Sequence, residues 1–368
     1  MNDTKRISHF DLLKVIAMLF VCISHVFQRV VPNGTTSIIF GVFYSVHMSI
    51  FIFVGAYFVR RCTTIKDLLK YFLKMLICYV LPAIVFTILT VISMARYSNH
   101  DVVYWLNEFL VRTDTFYWYA IAAFVINAFL ATGYYISSKI IKTESLKKDI
   151  FKNIVILICF AILFIPFILI HKSETPGLLA TNLIVEFVPL AIMGFLFRSF
   201  GKYIKQNKVS TILELLVAGI CLILYVIALI NFKGWLNKAT TILLILHQLG
   251  SICGVYVYYV LTKWLCKLHQ VSKLSIYGKY SYPLYLVHVY IIRVITPYVS
   301  KITEVNFYSI SFVVLYSLVF TFGSLVITLF LTKNKYINLI LFGDYSKLKK
   351  KDSKSFDNPV EPIEGVKH

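Results

Sequence analysis

Lys14 and His25 stand eleven residues apart inside DLLKVIAMLFVCISH, the first long apolar run of the chain. An imidazole ionises near neutrality and can move a proton or accept a group at nitrogen, and an ammonium holds anions. On a helix, at about 100° and 1.5 Å per residue, eleven steps return to within roughly 20° of the starting direction and climb about 16.5 Å. The two side chains therefore share one stripe of one rod. A cation at the bilayer centre costs at least about 2.5–3.5 kcal/mol, so an ionisable residue in such a run marks a functional candidate.

Other chemistry-bearing residues fall in later apolar runs. His47, His247 and His288 all lie inside them, and counting from the run ends places His25, His47 and His247 in the outer half of a membrane, with His288 nearer the inner side. One buried histidine is explained by a bond to a neighbouring helix; a layer of three asks for more. Tyr282, Tyr285 and His288 are spaced by three and line one helical stripe. Asp11, three residues before Lys14, is placed either to hold the ammonium or to complement the start of the helix dipole. Glu186 and Arg293 match in depth below the outer surface, which predicts that they pair and lock two helices, or line a polar cavity. The seven cysteines include no C-x-x-C pair. Cys22 and His25 have the spacing of two metal ligands, but nothing supplies the others, and no metal site is expected.

Long helices must position these groups. The chain has 368 residues, of which 59% are apolar and 15% charged, more hydrophobic surface than a soluble domain of that size can bury. Ten spans are predicted, at 11–31, 38–59, 72–94, 116–137, 153–171, 181–199, 210–231, 240–262, 280–299 and 308–332, giving an all-α integral membrane protein. The first run is too long for a cleaved signal peptide and no small-residue cleavage site follows it. With a cytoplasmic start, the outside loops hold Arg29, Arg96, Arg112, Lys172, Lys233, Lys238 and Lys301, and the inside segments hold the rest of the 37 basic residues except Lys14 and Arg293. That bias puts both termini in the cytoplasm. It also accounts for the net charge of +20 without nucleic acid, since no aromatic platform interleaves the basic residues. Ile65–Lys74 alternates lysines with apolar residues and is expected to lie along the inner interface before the third span. Residues 1–335 form the membrane domain; the tail, 336–368, begins as a short apolar segment and then turns polar and disordered. No phosphate-binding loop of the G-x-x-x-x-G-K-S/T kind is present, which argues against an ATP-driven pump.

The Lys14-x10-His25 element resembles the Arg-x10-His signature in the first span of the acyltransferase family 3 membrane proteins, which include O-acetyltransferases of bacterial surface polysaccharides. SVHMSIFIFVGAYFVRR is similar to that family's second span, DTFYWYAIAAFVINAFL to its aromatic fourth-span element, EFVPLAIMGFLFRSF to its sixth-span pattern, and GKYSYPLYLVHVYII to its Ser-Tyr-x-x-Tyr-x-x-His pattern. Departures are Lys14 for the commoner Arg, Ser49 where Pro is frequent, and Val54 before Gly55 where Ser is usual. Lysine keeps the charge and loses the planar fork that grips phosphate bidentately.

The resemblance implies acetyl-CoA as a cytoplasmic donor substrate, with no bound cofactor, and a glycan hydroxyl as acceptor. Lys14 would meet the polyanionic end of the donor, helped by Arg60 and Arg61, while the thioester reaches His25. His25 would act as general base on the acceptor hydroxyl or carry the acyl group itself; the first is favoured because it needs no second activated intermediate. His47, His247, Tyr282, Tyr285 and His288 would shape the acceptor pocket. The partners expected are membrane lipid, acyl-CoA, a surface or lipid-linked glycan and a separate extracytoplasmic transferase, in the plasma membrane. Two other readings stand beside this one. An exporter or flippase of a polysaccharide or lipid-linked sugar would use kinks at Pro82, Pro166, Pro189, Pro283 and Pro297, though no symmetric pair of interrupted spans is visible. A membrane sensor or scaffold would leave the histidine layer unexplained.

Overall fold

The computed structural model describes residues 7–30, 38–96, 98–111, 117–141, 146–171, 180–204, 207–231, 241–294 and 310–344. All regular elements among them are helical: α1 (Ser8–Val30), α2 (Ile38–Tyr44), α3 (His47–Tyr57), α4 (Ile65–Met75), α5 (Leu81–Ala95), α6 (Val102–Val111), α7 (Trp118–Ile140), α8 (Leu146–His171), α9 (Thr181–Gly201), α10 (Lys208–Ile230), α11 (Thr241–Leu265), α12 (His269–Leu274), α13 (Ser281–Val294), α14 (Ile310–Lys333) and α15 (Lys335–Phe342). A π-helical turn, Leu76–Val80, joins α4 to α5, and a 3-10 helix, Ser275–Tyr280, leads into α13. Nine helical runs among the described residues are long and apolar enough to cross a membrane. They correspond to the expected spans one to eight and ten; of the ninth, α13 is described up to Val294. The chain is an all-α multi-pass membrane protein.

The segment Ile65–Lys74, expected along the inner interface, is continuous with the third span in one helical run from Ile65 to Ala95. Thr64 starts it: its hydroxyl accepts the Asp67 N–H at 3.1 Å and donates to the Asp67 carboxylate at 2.7 Å. Pro82 falls just after the π turn, in which the Leu81 N–H donates to the Leu76 carbonyl, at the start of α5 where proline's missing N–H is tolerated. Of the tail, residues 345–368 lie outside the described residues.

The described chain falls into two compact units. Unit one comprises Met1–Phe51, Lys202–Ile340 and Asp344–His368; unit two comprises Ile52–Gly201 and Leu341–Gly343. In unit one α1 is central, packed by α2, α11, α13, α14 and the 3-10 helix, with Leu13, Ala17, Val21 and Cys22 fully buried. α10 pairs with α11 and turns Ile212, Leu216, Ile220 and Ile223 outward, an apolar face that suits lipid. In unit two α7 packs on α8 and α4, and α8 on α9. Gly343, in the left-handed region at φ 65°, lies where a side chain would meet the Ile77 carbonyl.

Several hydroxyls inside the spans are satisfied within their own helix. Thr87, Thr90, Ser317, Thr321 and Thr328 each return a hydroxyl hydrogen bond to the carbonyl four residues earlier. Between α10 and α11, Lys263 Nζ lies 2.9 Å from both oxygens of Glu214. Each charge there neutralises the other, which makes both tolerable within an apolar run.

Candidate functional site

The site in unit one starts at Gly278. This residue of the 3-10 helix sits so close to α1 that an added side chain would come within 2.5 Å of the Asp11 carbonyl oxygen. Only glycine allows that approach, and it sets the start of α13 against the first turn of α1. From there, Asp11 to His25 climbs about 21 Å along α1 and Gly278 to His288 about 16 Å along its neighbour. The two imidazoles meet: the rings of His25 and His288 lie 5.4 Å apart, tilted by 38°. His288 is therefore level with His25, not nearer the inner side. A depth measured from residue 280 leaves out the preceding 3-10 helix, which already runs along α1.

Three histidines show the same orienting pattern. His288 Nδ1 lies 3.1 Å from the Leu284 carbonyl and His47 Nδ1 3.1 Å from the Phe43 carbonyl. His25 Nδ1 lies 3.2 Å from the amide oxygen of Gln28. All three partners only accept, so Nδ1 donates in each ring, and each neutral imidazole keeps its lone pair on Nε2. The Nε2 of His288 is buried and has no hydrogen-bond partner among the described residues. Below it, Tyr285 packs on His288 at 5.7 Å and Tyr282 stacks on Tyr285 at 6.2 Å, so the stripe spaced by threes is a continuous ladder. Among the described residues, no three His, Cys, Asp or Glu side chains converge as a metal-ligand set.

His47 owes its place to a break in the second span. α2 stops at Tyr44, Ser45 and Val46 form a turn, and α3 restarts at His47. Carbonyls freed in hydrocarbon need partners, and unit one supplies them. Tyr225 donates its hydroxyl to Val42 at 2.7 Å, and Ser251 donates to Ser45 at 2.8 Å. His47 stands within electrostatic reach of His288. His247 is on α11, one turn before Ser251 and half-buried.

At the other end of α1, Lys14 Nζ lies 2.6 Å from Asp11 Oδ1, so the carboxylate holds the ammonium one turn inside the helix. A cation at the base, an imidazole pair above it and a tyrosine ladder alongside thus share one helix pair. A family model described as an acyltransferase domain matches residues 7–332. The chain belongs to acyltransferase family 3. No curated protein and no solved structure matches it.

The remaining residues of the acyltransferase expected to act are described within their own units. In unit two, Arg60 is exposed and lies 3.7 Å from Asp67, and the Arg61 guanidinium lies over the Tyr134 ring at 5.7 Å from its centre. Between that pair and the helix start, burial pushes the Cys62 thiol up to about 11, so it is no thiolate nucleophile. Glu186 is buried on α9 in unit two, and Arg293 is half-buried in the last turn of α13 in unit one. Sequence reasoning missed Gly278, the Glu214–Lys263 pair and Arg198. Arg198 donates to the carbonyls of Tyr57, at 3.2 Å, and Val59, at 2.5 Å, closing the end of α3. Glu214 and Lys263 carried a readable signal, since each sits inside an apolar run with the opposite charge at similar depth.

Proposed function

We propose that this acyltransferase is an O-acetyltransferase of the plasma membrane, moving an acetyl group from acetyl-CoA to a hydroxyl of a cell-surface polysaccharide or lipid-linked glycan. The observation that carries the reading is the His25–His288 ring pair, with Nδ1 of each ring engaged, above a lysine on the same helix as His25. In the reaction, His25 Nε2 takes the proton of the acceptor hydroxyl as its oxygen attacks the thioester carbon. The tetrahedral intermediate collapses, the carbon–sulfur bond breaks, and the imidazolium returns the proton to the leaving thiolate. His288, fully buried, lies beside the ring that becomes charged and supports it through that step. Lys14 binds a donor phosphate with the ammonium hydrogens that Asp11 does not use. Tyr282 and Tyr285 present the acceptor. A separate extracytoplasmic transferase receives or completes the modified glycan.

Mass analysis of surface glycans from cells with and without the gene tests this. The expected result is loss of acetyl groups from one glycan with its amount at the surface unchanged. Unacetylated glycan accumulating inside the cell would instead identify an exporter.

A further inference from the structure

At the end of α3 that the charge pattern assigns to the cytoplasm, unit two gathers two guanidiniums with no acid between them among the described residues. Arg198 reaches back from the last turn of α9 to the carbonyls of Tyr57 and Val59, two residues before Arg61. Arg61 lies over the ring of Tyr134, and that ring packs edge-on against Phe195, one turn before Arg198. Two independent contacts thus converge on the same corner. The groups acting electrostatically on Arg198 are Arg61 and the phenols of Tyr134, Tyr57 and Tyr71, with no carboxylate among them. The nearest acid on this segment, Asp67, is taken up by Arg60 and Thr64. A half-buried guanidinium whose fork is only partly used by carbonyls, with an exposed one of like charge beside it, favours a bound anion.

We propose that Arg61 and Arg198 form a binding site for a phosphate-class anion, supplied either by the phosphates of the acyl-CoA donor or by the headgroup of an anionic phospholipid. Arg198, anchored by two carbonyls, is the preset half; Arg61, exposed and stacked on Tyr134, closes on the ligand. The donor source rests on the acetyl-CoA reading; the anion site itself does not.

The test uses the whole protein in nanodiscs. Coenzyme A binding is measured for the native protein, Arg61→Gln and Arg198→Lys, beside retention of phosphatidylglycerol against phosphatidylcholine by native mass spectrometry. Loss of one charge-assisted contact should weaken the bound anion about tenfold. If coenzyme A weakens by that factor in Arg61→Gln, the site takes the donor; if phosphatidylglycerol retention falls instead, it takes a lipid headgroup. If Arg61→Gln leaves both unchanged, the proposal is overturned. Arg61 closes no helix end, so its variant carries the test even where Arg198→Lys unfolds. Acetyl transfer surviving in His25→Ala would overturn the proposed function and leave this binding result standing.

Discussion

For single residues, what matters first is which nitrogen of each imidazole is engaged. His25 Nδ1 is held by Gln28, so His25→Gln removes the base but keeps a polar side chain; it should lower the acetyl-transfer rate by about 10²–10⁴ with donor binding unchanged. Lys14 acts on binding instead, so Lys14→Met should raise the donor KM about tenfold at near-constant kcat, while Lys14→Arg restores it. Steady-state kinetics in proteoliposomes separate the two effects. Lys14 and His25 were legible in the sequence because helical spacing alone puts them on one stripe. The depth of His288 was not, since it depends on where the preceding segment packs. Nor was Arg198, which the sequence places in a basic inner segment but whose partners, the carbonyls of Tyr57 and Val59, are set by tertiary contact.

At the element scale, the close approach of the 3-10 helix to α1 is what brings the last motif of the sequence to the first. Gly278→Ala must push that helix away from the Asp11 backbone, and a shift of about 1 Å at a reacting group costs about 10²-fold in rate. Transfer should fall by that order while the protein still folds, read by thermal unfolding in detergent beside activity. The α10–α11 pair gives a stability test. Glu214→Gln leaves the half-buried Lys263 without its counter-charge and should destabilise the protein by about 1–3 kcal/mol, and adding Lys263→Met should recover much of the loss. Span positions were legible from hydropathy. The continuity of α4 with α5 was not, because its lysines read as interfacial, while the Thr64 cap and the π turn let one helix run through.

At the scale of the whole molecule, the sequence described an all-α polytopic chain and its family, and both hold: the described elements are helices and the family match spans residues 7–332. Composition and the length of apolar runs decide that class without tertiary information. The division into two units was not legible, because no linker or composition shift marks Phe51–Ile52 or Gly201–Lys202. The basic-residue bias predicts both ends of the chain in the cytoplasm. Epitope tags at Met1 and His368 should be inaccessible to antibody in intact cells and become accessible on permeabilisation. A tag readable in intact cells would reverse the orientation and place Lys14 away from the cytoplasmic donor.

The proposed role of His25 in acetyl transfer is open to a simple assay. Vesicles holding the native protein or His25→Ala are supplied with labelled acetyl-CoA and the isolated glycan. Label is expected on the glycan with the native protein and none above background with the variant, both being equally folded. Full transfer by His25→Ala would contradict that role.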